Sequence, residues 1–497
     1  MFLCVLGLLP IPSLAQWHSP DSISAGLYTS VSKKEYQPFW LAANRQGFIE
    51  EFSQGNAVFR MQAHSSFQSY NIFEYAYGID VAARAAEVNS DLYFHQLYGS
   101  LKASIFQLDA GWKYYTVGEP PSKLSSGSMG ISNNSRTIPR INLSIPKFTP
   151  VPLTYSFIQF KGNLAHGWLG NDRSTKGAYL HEKTFYLQGG FDYWPVQGYA
   201  GMVHFAQWGG TMPDGEELPS GFEDFTSVFF GSGGGSDAPD GEQVNALGNH
   251  LGIWDFGMEI ELKNITLNLY YQHPFEDKSQ LRFSREEDGL YGINVESKKQ
   301  NILSGFLWEF IYTKAQTGPG LSDPVANFPY CEEENCGYPY GGRDNYYNNY
   351  IYEDGWTNQN RTLGTPLFLS VAQLKSYFPD AKVYNTAIES NRIVGHHMGL
   401  EGYISPRFKY RALVTYVRHY GNYHGINGGY GQFNSKNPEY DKTQYLFYPA
   451  LEQWNFLVET EYSFPRLSNI HFITSLAYDN GDLNQNLGLL LGATYHF

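Results

Sequence analysis

Apolar and polar residues alternate strictly over many stretches of this chain, and a period of two marks β-strands. In 264–272, Ile265, Leu267, Leu269 and Tyr271 point one way, and Thr266, Asn268, Tyr270 and Gln272 the other. In 73–85 one face carries Phe73, Tyr75, Tyr77, Ile79, Val81 and Ala83; the other carries Glu74, Gly78, Asp80 and Arg84. In 408–419, Phe408, Tyr410, Ala412, Val414 and Tyr416 oppose Lys409, Arg411, Thr415 and His419. A last stretch sets Leu487, Leu489, Leu491, Ala493, Tyr495 and Phe497 against Gly488, Gly492, Thr494 and His496. Strands of soluble domains average about 5–6 residues. Many of these run to about 10 or more, the length a tilted strand needs to cross a bilayer. A lipid-facing apolar wall with aromatic girdles, backed by a polar lumen, accounts for both faces together.

The connections fall into two classes. Those at 69–72, 262–264, 297–300, 405–407 and 463–468 are tight. Those at roughly 118–137, 165–182, 209–248, 315–393 and 420–443 are long and rich in Gly, Pro, Asn, Asp and Tyr. Outer-membrane barrels place short turns in the periplasm and long loops outside. Counting back from Phe497, with 139–146 as a strand, the two classes alternate consistently and predict about eighteen strands, an even number. The expected fold is all-β: an antiparallel transmembrane β-barrel of about eighteen strands with long extracellular loops. A helix is expected only in 367–378 (LFLSVAQLKSYF), inside the longest loop, where it can fold into the barrel mouth.

Composition narrows the class further. The 497 residues are 17% aromatic and 16% charged, so rings outnumber charges, whereas an average soluble protein is about 25% charged. Mean hydropathy is −0.38, too polar for a bundle of membrane helices. A net charge of −14 argues against nucleic acid, whose phosphates select basic faces. Residues 1–12 are almost wholly apolar, and Ser13-Leu14-Ala15 before Gln16 fits a signal-peptidase site, although a basic leading region is missing. The expected division is a signal peptide over 1–15 and an outer-membrane barrel over 16–497. Cys4 leaves with the signal. Cys331 and Cys336, in PYCEEENCGYPYGG, are expected to pair in a small disulfide loop, as an even pair in an exported chain does. The closing aromatic Phe497 suits the barrel-insertion machinery, so that machinery and outer-membrane lipid are expected partners.

Catalytic signals are poor. There is no G-x-S-x-G elbow, H-E-x-x-H or Walker motif. His396 and His397 are neighbours on a strand and face opposite sides, so they do not share one ion. Acidic loops such as 214–217 and 237–242 lack the spaced ligands of a calcium loop. No cofactor, no metal and no enzymatic activity are expected. Arg60, His64, Glu74, Asp80, Arg84, Glu259, Glu261, Lys409 and Arg411 all fall on inward faces, with both signs present, and read as a lumen network. The most informative loop is Asp344–Trp356 (DNYYNNYIYEDGW), where rings are interleaved with amides and carboxylates. Rings that stack on sugars and planar groups that bind hydroxyls suit carbohydrate recognition. The same rings also suit packing of the loop onto itself.

Further segments add to this: 37–47 (QPFWLAANRQG), 132–141 (SNNSRTIPRI), 164–169 (LAHGWL), 181–183 (HEK), 207–210 (QWGG), 248–252 (GNHLG) and Gly364-Thr365-Pro366. With 344–356 they resemble, in order and spacing, the capsule assembly protein Wzi family. The resemblance implies an outer-membrane barrel that binds or anchors capsular or exopolysaccharide at the cell surface, lectin-like and non-catalytic; a monomer is expected. It also implies a helical plug near the periplasmic opening, whereas the early segment here is short and shows no clear helix. A general diffusion porin is the competing class. The candidate glycan site is the loop 315–393, with Arg343, Asp344, Asn345, Tyr346, Tyr347 and Trp356 as its core and Arg361 nearby. Arg136, Trp168 and Trp208 are possible supports from neighbouring loops. Trp356 and one Tyr would stack on sugar rings, Asp344 and Asn345 would bind hydroxyls, and Arg343 and Arg361 would meet acidic sugars.

Overall fold

Alternation becomes register in the computed structural model, which describes residues 19–67, 72–118, 123–236, 238–239, 242–243, 246–276, 288–316, 344–426, 441–465 and 467–497. The strands run β1 (Ser22–Ser32), β2 (Gly55–His64), β3 (Phe73–Ala86), β4 (Asp91–Ala103), β5 (Phe106–Trp112), β6 (Pro139–Pro150), β7 (Ile158–Trp168), β8 (Tyr179–Gly189) and β9 (Val196–Trp208). They continue with β10 (Asn249–Glu261), β11 (Ile265–Phe275), β12 (Gly289–Ser297) and β13 (Gly305–Tyr312). Four short strands, β14 (Thr357–Asn358), β15 (Arg361–Thr362), β16 (Leu369–Ser370) and β17 (Ile388–Ser390), lie within the longest loop. The chain then returns to the wall as β18 (Ile393–Ser405), β19 (Phe408–His419), β20 (Leu451–Phe464), β21 (Leu467–Gly481) and β22 (Asn486–His496). Apart from the four short ones, the strands form one eighteen-stranded antiparallel sheet. It closes where β1 pairs with both β2 and β22, for example Leu27 with Phe59 and with Ala493.

The wall sorts side chains as the sequence pattern requires. Leu27, Leu92, Leu101, Val458, Leu476 and Leu491 are exposed, while Val58, Ala82, Asn294, Thr415 and Leu490 are buried inside. So many large apolar side chains left outside a closed sheet need hydrocarbon around them; in water each would forgo about 1.5–3 kcal/mol of burial. His396 and His397 do face opposite sides: His397 is buried in the lumen, bonded to Thr415 Oγ1 at 2.7 Å and Leu124 O at 2.6 Å, and His396 stacks outside on Trp308. No described helix is long and apolar enough to cross a membrane, and the strands do the crossing.

Strand direction puts the connections 33–54, 113–138, 169–178, 209–248 and 313–392 at one end and turns such as 262–264 and 406–407 at the other. Three of the long connections turn into the lumen. Within 33–54 a single helical turn, Phe39–Ala42, enters from the long-loop end; Phe39 N donates to Asp479 Oδ2 (2.8 Å) and Trp40 Nε1 to Thr415 Oγ1 (3.0 Å). Segment 113–138 is pinned by Glu309 on β13, whose buried carboxylate accepts from Ser125 Oγ, Ser126 N and Oγ, and Tyr270 OH. Four donors around one buried carboxylate are what its desolvation demands. The third segment is 344–392. It holds the expected helix, Val371–Tyr377, started by Ser370, whose hydroxyl accepts from Gln373 N while Gln373 Oε1 accepts from Ser370 N.

A second helix, Phe222–Phe230, was not expected from the sequence. FEDFTSVFF sets Phe222, Phe225, Val228 and Phe229 on one face and Glu223, Asp224, Thr226 and Ser227 on the other, but the stripe is little more than two turns long, inside a long loop rich in Gly and Pro. It belongs to 209–248, which folds back over the outside of β8–β10. There it covers His181, His204 and Trp208, which face outward, and packs Phe225 and Phe229 against His181.

Candidate functional site

The three inward segments meet in one plug, and most candidate residues sit inside it. Tyr346, Tyr347, Tyr352 and Trp356 are each 2% exposed or less. Tyr346 OH donates to Asp288 Oδ2 (2.8 Å) and Tyr347 OH to Met129 O. Trp356 Nε1 donates to Gly130 O (2.8 Å), and its ring lies 5.1 Å from Phe205 on β9. The expectation that Trp356 and a neighbouring Tyr present their faces to sugar is therefore corrected. Their polar ends are spoken for by carbonyls and a carboxylate, and their faces are closed by the packed core of the plug. Gly355, at φ +60°, has no room for a Cβ beside Tyr347 O, so the turn that seats Trp356 needs glycine.

Arg361 is corrected in the same way. It is buried, with Nη1 donating to Ala42 O (3.0 Å) and Nη2 to Ile49 O (2.6 Å), and it stands 3.9 Å from Glu51. It ties the longest loop to 33–54. Asn345 is half-buried in an amide ladder with Asn348, Asn385 and Asn391. Asp344 is half-buried beside it, its backbone N–H donating to Gln316 O (3.1 Å). Arg343, Cys331 and Cys336 lie outside the described residues, as does the proposed signal peptide 1–15.

The three supports do not converge on that loop as a group. Arg136 is in the lumen, bonded to Asp91 at 2.7 Å, with its carbonyl accepting from Asn358 Nδ2 (3.0 Å). Trp168 and Trp208 are on the outer side of the wall. Trp168 is half-exposed next to His166, and Trp208 is buried beneath Phe225. Strand parity forces this, since Gln207 next door points inward to Gly355 O (3.0 Å).

The lumen network expected from inward charges is present as Arg60–Asp80, Arg84–Glu50, Glu74–Lys102, Lys409–Glu401 and Arg411–Glu459 pairs. Among the described residues no three His, Cys, Asp or Glu converge on a metal-sized site. Burial pushes two loop carboxylates, Glu242 and Glu389, up to about 7, the second although the N–H groups of Tyr384 and Asn385 and the Asn422 amide pull it down. Sequence reasoning missed Trp40, Glu309, Glu389 and Asn422 as members of this assembly. The only advance signal was that 37–47, 132–141, 344–356 and 364–366 share one set of resembling segments, and all four meet in the plug.

No family model matches the chain, and no curated relative does. Among solved structures, Wzi, an outer-membrane protein involved in group 1 capsule assembly in Escherichia coli and described as a carbohydrate-binding β-barrel, overlays at a TM-score of 0.56. It is 13% identical, with 96% of this chain and 84% of that chain covered. The fold is Wzi-like. OccK5 and OccK3 of Pseudomonas aeruginosa overlay at a TM-score of 0.43 each, with 9% and 10% identity and 96% of this chain covered; 97% and 95% of those chains are covered. The chain is thus an outer-membrane barrel whose overall course follows the Wzi-like arrangement. It departs from the implied plug at one point: its N-terminal plug segment is one helical turn entering from the long-loop end.

Proposed function

We propose that this barrel binds or anchors capsular or exopolysaccharide at the outer face, without catalysis. The observation that supports it most is the filled lumen. Segments 33–54, 113–138 and 344–392 together contact β2, β8–β13 and β18–β22, so the described interior offers packed side chains where a diffusion porin needs a water path. Nearly every inward ring is consumed by this packing. The glycan-facing surface is then the outer side of the plug, where Tyr350 is exposed and Lys382 lies 4.9 Å from the ring of Tyr384. Tyr350 offers a free face for stacking, and Lys382, over the half-buried ring of Tyr384, offers a cation to an acidic group.

Two measurements test this reading. The first is binding of surface polysaccharide from the producing bacterium to the purified barrel, together with capsule retention on cells. Both are expected to fall in a Tyr350→Ala, Lys382→Ala variant that inserts normally. The second is conductance in planar bilayers, where a closed barrel is expected. Wild-type glycan binding by the variant moves the site elsewhere, and a large steady conductance makes the protein a porin.

A further inference from the structure

Below the plug, on the side of the short turns, lies a cavity of about 370 Å³. Its ceiling comes from the plug through Trp40, Asn44, Arg45 and Lys123, and its walls come from the barrel through Tyr28, Arg60, Arg411 and Leu457. The lumen beneath it is wet: Glu461, Lys409 and His471, on the lower parts of β20, β19 and β21, keep 44%, 32% and 30% of their side-chain surface. Two features point to a ligand. The first is charge. Arg45 (2.6 Å) and Arg411 (2.9 Å) share the single carboxylate of Glu459, Arg60 is matched by Asp80, and Lys123 has no ion pair among the described residues. Glu401, opposite Arg411, is matched by Lys409, so five cations face three carboxylates. The second is unmet hydrogen bonding. Arg411 Nε and Asn44 Oδ1 are buried and have no partner among the described residues, although buried polar atoms in folded proteins nearly always have one. Tyr28, half-buried on β1, supplies a flat apolar face at this cavity, and the volume is within the range of about 300–1,000 Å³ usual for small-molecule sites.

We propose that this cavity binds a carboxylated sugar of one or two residues, reached from the short-turn side. The choice of ligand class rests on the polysaccharide reading above; the site itself does not, being on the opposite side of the plug from Tyr350 and Lys382. The carboxylate would lie against Arg45 and Arg411, whose shared partner leaves their combined charge unmatched. The ring would lie over Tyr28, with Asn44 meeting a hydroxyl.

The test is calorimetry on the detergent-folded barrel with galacturonate and digalacturonate, against galactose and acetate as probes. The acidic sugars are expected to bind at least about tenfold more tightly than either control. Arg45→Gln and Lys123→Gln should each weaken that binding about tenfold. Lys123 is exposed, so its variant keeps the test valid if loss of Arg45 disturbs the plug. Attaching a bulky polyethylene-glycol maleimide to Glu461→Cys, at the lower lumen wall, should block binding, with treated wild type as the control. Tyr350→Ala, Lys382→Ala should leave it unchanged, which separates this site from the surface above. Absence of binding by the folded barrel overturns the proposal. So do acetate binding equal to the sugar's, and sugar binding that survives both substitutions and the blocking group.

Discussion

Trp356→Ala tests whether the long loop is a seated plug. The indole is 1% exposed, donates to Gly130 O and packs on Phe205. Truncating a buried Trp costs about 3–5 kcal/mol. Leaving the Gly130 carbonyl without its donor adds about 1–3 kcal/mol where water cannot reach it. Taking about 4 kcal/mol as the sum after relaxation, the ratio of unseated to seated plug rises roughly a thousandfold, at 1.4 kcal/mol per factor of ten. The eighteen-stranded ladder makes no hydrogen bond to Trp356, so the barrel should still migrate as a heat-modifiable folded species. The assay is planar-bilayer conductance combined with hydrogen exchange over 344–392. Wild type should be closed and protected, and Trp356→Ala should show opening events and faster exchange. Trp356→Phe, which keeps a ring but loses the donor, should fall between the two. A folded Trp356→Ala barrel as silent and as protected as wild type would refute the plug argument.

Three other outcomes are expected. Arg361→Ala removes donors from Ala42 O and Ile49 O; it should cost about 2–4 kcal/mol and speed exchange in 39–52 without unfolding the barrel. Glu389 ionises near 7 when packed and near 4.5 when released, so its contribution is full below about 4.5 and is lost as pH rises through about 7. Protection factors in 384–391 and 420–426, corrected for the intrinsic pH dependence of exchange, should therefore fall from pH 5 to pH 8, and Glu389→Gln should flatten that fall. Cys331 and Cys336 should be unavailable to thiol reagents in unreduced, denatured protein and fully labelled after reduction.

Much of the wall could be read directly from the chain, because a strand's facing pattern is local. Leu487 and Leu491 outside with Leu490 inside, or Arg411 inside between Tyr410 and Ala412, follow from parity alone. The strand count followed from the two classes of connection. The plug was different. DNYYNNYIYEDGW has one composition whether its rings meet a sugar or a core, and the choice rests on contacts with Met129, Gly130, Phe205 and Asp288, distant in sequence. Trp168 and Trp208 were misplaced for a related reason. At a strand's end one residue decides inside from outside, and the apolar stripe of Phe222–Phe230 does not say which face of the wall it will cover.

The way the N-terminal plug segment is held bears on the order of assembly. Phe39, Trp40 and Arg45 are secured by Asp479, Thr415 and Glu459, which belong to β21, β19 and β20. Those strands are among the last to be synthesised, and β22 must reach β1 before the wall is complete. The earliest plug residues thus wait for the latest wall residues, and a chain stalled before β19 lacks every one of these anchors. Seating of this segment is coupled to completion of the wall: its anchors exist only once the final strands have joined.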